Sequence, residues 1–278
     1  MRMTDPAVTA TDLVVAYGDR TALNRSTFTI PQGEVTAVIG PNGSGKSTLL
    51  NAIAGLIEPR SGTIEVPARS GIGHRISYVL QTTKINDSLP VSVHEVVTMG
   101  RYSGLGAYRW LSSEDRDAVR SAMERTGVAD LASKHLTELS GGQRQRVFVA
   151  QGMAQDHDLL LLDEPLTGID LTTAMAIDDA IHAETERGCT VILTTHDLSE
   201  AQVADYVVLL SGRVVAAGSP DEVMTPQSLK EAYGPSLLHV SEGRVFIDDA
   251  AHMPVGQRHL HRDRSIHTES SQADTHKE

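Results

Sequence analysis

Gly40-Pro41-Asn42-Gly43-Ser44-Gly45-Lys46-Ser47-Thr48 decides how the rest of the chain is read. The stretch satisfies G-x-x-x-x-G-K-[ST]. It follows the apolar run Val35-Thr36-Ala37-Val38-Ile39 and precedes Leu49-Leu50-Asn51-Ala52-Ile53-Ala54, whose apolar residues recur at helical spacing. Strand, glycine loop and helix form the context this pattern needs. Glycines let backbone N–H groups crowd around a polyanion without Cβ obstruction. The helix N-terminus adds a favourable dipole, Lys46 adds a positive charge beside the outer phosphates, and Ser47 offers a hydroxyl to Mg²⁺.

Working outward, Leu159-Leu160-Leu161-Leu162 ends in Asp163-Glu164-Pro165. The run is too continuously apolar to be half exposed and reads as a central parallel strand. Two acids therefore stand where open α/β sheets bind their ligands. Asp163 is placed to help hold Mg²⁺, and Glu164 to orient and polarise an attacking water. His196 follows the next apolar run, 191–193, where an imidazole could reach a γ-phosphate.

A second helix start lies at Leu139-Ser140-Gly141-Gly142-Gln143, where Ser140 can cap the helix and two glycines leave its N-terminus open to an anion. Two phosphate-binding helix ends about 90 residues apart imply that one nucleotide need not meet both within one subunit.

This set of motifs resembles the nucleotide-binding subunit of ATP-binding-cassette transporters over residues 8–236. The resemblance implies an α/β fold: a P-loop NTPase core with a mostly parallel sheet, an N-terminal antiparallel β subdomain and a helical insertion at about 82–155. It also implies ATP hydrolysis with Mg²⁺ held by Ser47, Gln81 and Asp163. ATP is bound by Tyr17, which stacks on adenine, by Gly40 to Thr48 and by Gln81. Ser140, Gly141, Gly142 and Gln143 reach the nucleotide of the facing subunit, and Asp170 contacts the dimer partner. The implied assembly is a head-to-tail homodimer docked on integral membrane permease subunits at the cytoplasmic face of the membrane. Tyr102, Tyr108 and Trp110 are its candidate contacts.

The remaining chain fits that frame. Its length of 278 residues allows one large domain or two small ones, and 40% hydrophobic content suffices for a core. A net charge of −12 argues against nucleic acid as a partner and against a soluble cassette ATPase acting on ribosomes. Cys189, the only cysteine, reads as a small strand residue in a reducing compartment. No 18-residue apolar run is present, and Met1 to Ala10 lacks signal-peptide features, so an unexported, peripheral protein is expected.

Expected strands lie at residues 13–17, 26–30, 35–39 and 63–66, with a capping box at Ser112 and Asp115. A crossover helix is expected at 172–187, a hairpin around Ser211-Gly212, and a second hairpin around Glu242-Gly243 within a C-terminal extension, 237–251.

Residues 89–93, 97–102 and 195–201 are similar to the branch serving zinc and manganese uptake, with the iron-siderophore and cobalamin type close behind. An extracytoplasmic metal-binding protein is then an indirect partner. The tail, 252–278, holds His252, His259, His261, His267 and His276, five of the chain's 12 histidines. Imidazole is a favoured zinc ligand, but the irregular spacing excludes a closed structural site and predicts a disordered, weakly binding tail.

Overall fold

A computed structural model describes residues 6–70, 75–81, 90–102, 110–234, 238–241 and 244–247. The five tail histidines, Tyr108, the first residues of the expected insertion and the turn at Glu242-Gly243 lie outside them.

The chain begins with β1 (Pro6–Tyr17) and β2 (Arg20–Pro31), which pair antiparallel and are joined by β4 (Ser61–Glu65) in a three-stranded sheet of order β2-β1-β4. The first two strands are much longer than their apolar cores suggest. Polar Thr11 and Asp12 look like a break, yet the chain passes them in a bulge. There Asp12 turns left-handed at φ 52° and its N–H donates to Thr27 Oγ1 at 3.0 Å.

Six strands form the main sheet. In chain order these are β3 (Val35–Ile39), β5 (Ile76–Val79), β6 (Leu159–Leu162), β7 (Thr190–Thr195), β8 (Tyr206–Leu210) and β9 (Val214–Gly218). Their spatial order is β5-β6-β7-β3-β8-β9; the first five run parallel and β9 returns antiparallel as the expected hairpin. Strand β5 was not among the expected elements, because Ser77 and Tyr78 interrupt its apolar pattern. Cys189 is buried but precedes β7 instead of lying within it.

Period-two alternation divides the central strands between two cores. Ala37, Leu160, Leu162, Val191, Leu193, Val207 and Leu209 face one, while Val38, Leu159, Leu161, Ile192, Val208 and Leu210 face the other. The second core is closed by the small sheet and by α1 (Lys46–Ala54).

Helices α2 (Val93–Tyr102), α3 (Ser113–Arg125), α4 (Gly141–Met153) and α5 (Leu171–Glu186) pack on the first core. Ser112 caps α3 in a reciprocal box with Asp115, and Val119, Ala122 and Met123 are buried along one face. Arg101, near the end of α2, reaches Asp115 Oδ1 at 2.7–2.8 Å and the carbonyl of Ala154 at 2.9 Å, tying α2 to α3 and to the end of α4. Short helices α6 (Leu198–Val203), α7 (Pro220–Val223) and α8 (Pro226–Tyr233) complete that layer, and β10 (Leu238–Ser241) pairs antiparallel with β11 (Arg244–Ile247). None of the described helices is long and apolar enough to cross a membrane.

Candidate nucleotide site

Because β3, β5, β6 and β7 are parallel, their carboxyl ends open on one edge of the sheet. Gly40, Gln81, Asp163 and His196 all follow those ends. The glycine loop needs its glycines for space as well as torsion. Gly40 has φ 152°, and a Cβ there would stand 2.2 Å from the carbonyl oxygen of Leu210 at the end of β8. Gly43 and Gly45 are left-handed at φ 78° and 104°. Gly45 precedes α1 with no side-chain cap, so the helix N–H groups face the loop. Ser44 Oγ is buried without a hydrogen-bond partner, an orphan of the kind a bound polyanion satisfies.

Lys46 is 7% exposed and folds back so that Nζ donates to the carbonyls of Gly40 at 2.9 Å and Pro41 at 3.4 Å. Burial pushes its ammonium below the usual lysine range, against the opposing pull of Glu164 and Asp163. The loop mouth thus holds a cation whose protein counter-charges stand just past the end of β6.

Asp163 is nearly buried, and its Oδ1 accepts from Thr194 Oγ1 at 2.6 Å. The same Thr194 oxygen accepts the Glu164 N–H at 2.8 Å. Glu164 is left-handed at φ 49°, an uncommon conformation for a residue other than glycine. Gln81 Nε2 donates to Glu164 Oε2 at 2.8 Å, so β5, β6 and β7 meet in one polar chain. The hard oxygen donors of Ser47, Gln81 and Asp163 fit Mg²⁺, with Oδ2 of Asp163 taking no hydrogen bond from the described residues.

Tyr17, about half exposed at the end of β1, receives Asn51 Nδ2 of α1 on its hydroxyl at 3.3 Å. His196 is half-buried just past β7.

The remaining expected residues gather separately. Ser140 caps α4 reciprocally with Gln143, at 3.2 and 3.0 Å. Asp170 caps α5 through the Thr173 N–H and hydroxyl at 3.0 and 2.8 Å, which hold its carboxyl below the usual range. A Cβ on Gly142 would come 2.9 Å from Thr173 Oγ1 and 3.3 Å from Asp170 Oδ2, so the two helix starts abut. Gly141 has open space on its Cβ side. The structure joins Lys46, Gln81, Asp163 and Glu164 in one group and Ser140 to Gln143 with Asp170 in another.

Thr194 went unnoticed in the sequence. A β-branched residue inside an apolar strand reads as packing, and only the fold shows its hydroxyl bridging two loop acids.

A family profile described as ABC transporter matches residues 23–167. A zinc transport system ATP-binding protein, TroB of Treponema pallidum, is 39% identical over 231 residues, covering 82% of this chain and 87% of its own. The chelated iron transport system membrane protein YfeB of Yersinia pestis is 37% identical, covering 88% and 85%. Among solved structures, cbiO1 from Clostridium perfringens, part of the ABC transporter complex cbiONQ, superposes with TM-score 0.69. It is 31% identical and covers 82% of this chain and 94% of that one.

Proposed function

The chain belongs to the ABC transporter family as an ATP-binding, ATP-hydrolysing subunit, and from that premise we propose that it powers uptake of a metal ion, zinc or manganese first. The observation that carries the mechanism is the polar chain Gln81–Glu164–Thr194–Asp163 beside Lys46. Lys46 and the loop N–H groups bind the phosphates of ATP, and Tyr17 stacks on its base. Mg²⁺, held by Ser47, Gln81 and Asp163, supplies charge neutralisation at the phosphate oxygens when bound. Glu164, anchored by Thr194 and Gln81, orients and polarises the attacking water, and His196 contacts the γ-phosphate.

Residues 8–236 form the ATPase unit, with its helical insertion at about 82–155, and two copies assemble head to tail. The cap of α4, Ser140 to Gln143, completes the site of the partner, with Asp170 at the contact. Bound ATP favours the closed pair, and loss of the γ-phosphate releases it. The insertion carries this movement to permease subunits, and the protein works at the cytoplasmic membrane face with an extracytoplasmic metal-binding protein upstream.

Zinc and manganese lead because TroB and the manganese transport ATP-binding protein MntA of Synechocystis share 39% and 36% identity with this chain. Chelated iron is the second reading, favoured by the similarity to YfeB.

Glu164→Gln is expected to retain ATP binding, slow hydrolysis by at least about a hundredfold and accumulate an ATP-dependent dimer in sedimentation; Lys46→Ala loses ATP binding instead. A Glu164→Gln chain that stays monomeric with ATP and turns over normally would sink the mechanism. The cargo is read from cellular metal content: cells lacking the chain, complemented by wild type but not by Lys46→Ala, should lose zinc or manganese. Loss of iron alone selects the second reading.

A further inference from the structure

At the other end of β6 and β7, away from the glycine loop, His157, Glu184 and Cys189 converge from three segments: the approach to β6, the end of α5 and the approach to β7. One ligand atom from each, an imidazole nitrogen, a carboxylate oxygen and a sulfur, lie within 4.8 Å of one another. We propose that these three side chains form a transition-metal site that takes Zn²⁺, separate from both the ATP site and the histidine tail.

The geometry of the imidazole carries the argument. His157 Nδ1 is 2.9 Å from the carbonyl oxygen of Gln155, which can only accept, so Nδ1 carries a proton. In the neutral ring Nε2 then holds a lone pair. It points at Glu184 Oε2, 3.3 Å away, from a side chain only 2% exposed, and has no hydrogen-bond partner. A proton between these two atoms would make an imidazolium–carboxylate ion pair; a metal ion in the same place would in addition engage the nearby Cys189 sulfur. Their separation matches the edge of a tetrahedral zinc site, about 3.3 Å for ligands at roughly 2.0–2.1 Å. A metal-ligating histidine also characteristically donates its other ring N–H to a backbone carbonyl, as His157 does.

Two arginines hold the Glu184 carboxylate, and Arg75 and Arg101 also line the adjoining cavity. Arg125 from α3 holds Glu184 Oε1, and the exposed Arg187 touches Oε1 at 3.2 Å and Oε2 at 3.4 Å. Arg125 thus fixes the carboxylate through Oε1, while Arg187 also reaches Oε2 and, being exposed, would have to swing aside for a metal to take that oxygen. Cys189 Sγ, now 3.4 Å from the carbonyl oxygen of His157, supplies the soft ligand by losing its proton to solvent on binding. A cavity of about 230 Å³, lined by His157 and Cys189, adjoins the cluster and has room for a water in the fourth position. A mixed N/O/S set suits zinc and disfavours magnesium, calcium and manganese, which prefer oxygen.

Cys189 is the only cysteine of the chain, which gives the site a signature the tail cannot imitate. Co²⁺ added to the full-length protein should produce near-ultraviolet thiolate-to-cobalt absorption saturating at one equivalent. Zn²⁺ should abolish it stoichiometrically, and Mn²⁺ should leave it unchanged. Cys189→Ala should remove the band, and His157→Ala should weaken Co²⁺ binding at least about tenfold, while both variants still bind ATP. No thiolate band in wild type, or a band equally strong in His157→Ala, overturns the proposal.

Discussion

Thr194 shows how much of this site depends on one hydroxyl. Its Oγ1 donates to Asp163 and accepts from the Glu164 N–H, so a single atom ties together two neighbouring acids. Valine has the same shape but neither capacity. Thr194→Val should lower stability by about 1–3 kcal/mol, because a buried carboxylate and a loop N–H lose their partner. It should slow hydrolysis more than it weakens ATP binding, whereas Thr194→Ser should restore both. Thermal melts and steady-state ATP turnover read the two effects. Lys46, Asp163 and Glu164 were legible in the sequence because strand-end loops expose their chemistry as polar letters after apolar runs. Thr194 was not, and neither was the cluster of His157, Glu184 and Cys189, whose members meet only once β6 and β7 are aligned. The left-handed backbone of Glu164 is likewise a product of the fold, since nothing in Asp-Glu-Pro announces φ 49°.

Helix contacts decide the next scale. Gly100 of α2 lies against α4 so closely that a Cβ would stand 2.3 Å from the carbonyl oxygen of Gln151. That oxygen belongs to helix backbone and cannot swing aside, so Gly100→Ala should destabilise the protein by about 1–3 kcal/mol, measured in denaturant melts. A second joint is electrostatic. Hydrogen bonds from Ser112, with Arg101 adding its own bond and charge, outweigh burial and hold Asp115 at about 2, against its usual 3.8. A carboxyl depressed by folding stabilises above its unfolded value, and that contribution disappears as pH falls through the folded one. Relative to Asp115→Asn, wild type should therefore gain about 1 kcal/mol at neutral pH, after discounting for solvent screening, and lose that margin between about pH 4 and pH 2. The capping box of α3 was readable from Ser112 and Asp115 alone. The reach of Arg101 was not, because it spans 14 residues and depends on the crossing of α2 and α3.

Across the whole molecule, local patterns announced the parallel strands but not their order. β3 sits between β7 and β8 because Val35 pairs with Val191 and Ala37 with Val207, partners far apart in the chain. That order puts the glycine loop, Asp163 and His196 on one edge. It also leaves α2 and its surroundings facing outward, with Met99, Tyr102 and Trp110 exposed, the tryptophan at 93%. Trp110 is the only tryptophan of the chain, so its fluorescence belongs to a single place. The isolated protein should emit at the long wavelength of a water-bathed indole and be quenched freely by acrylamide. Heating should shift that emission hardly at all, making it a poor gauge of unfolding. Once the chain is seated on a membrane subunit, the same indole should turn blue and become shielded, so docking can be followed by its light with no label attached.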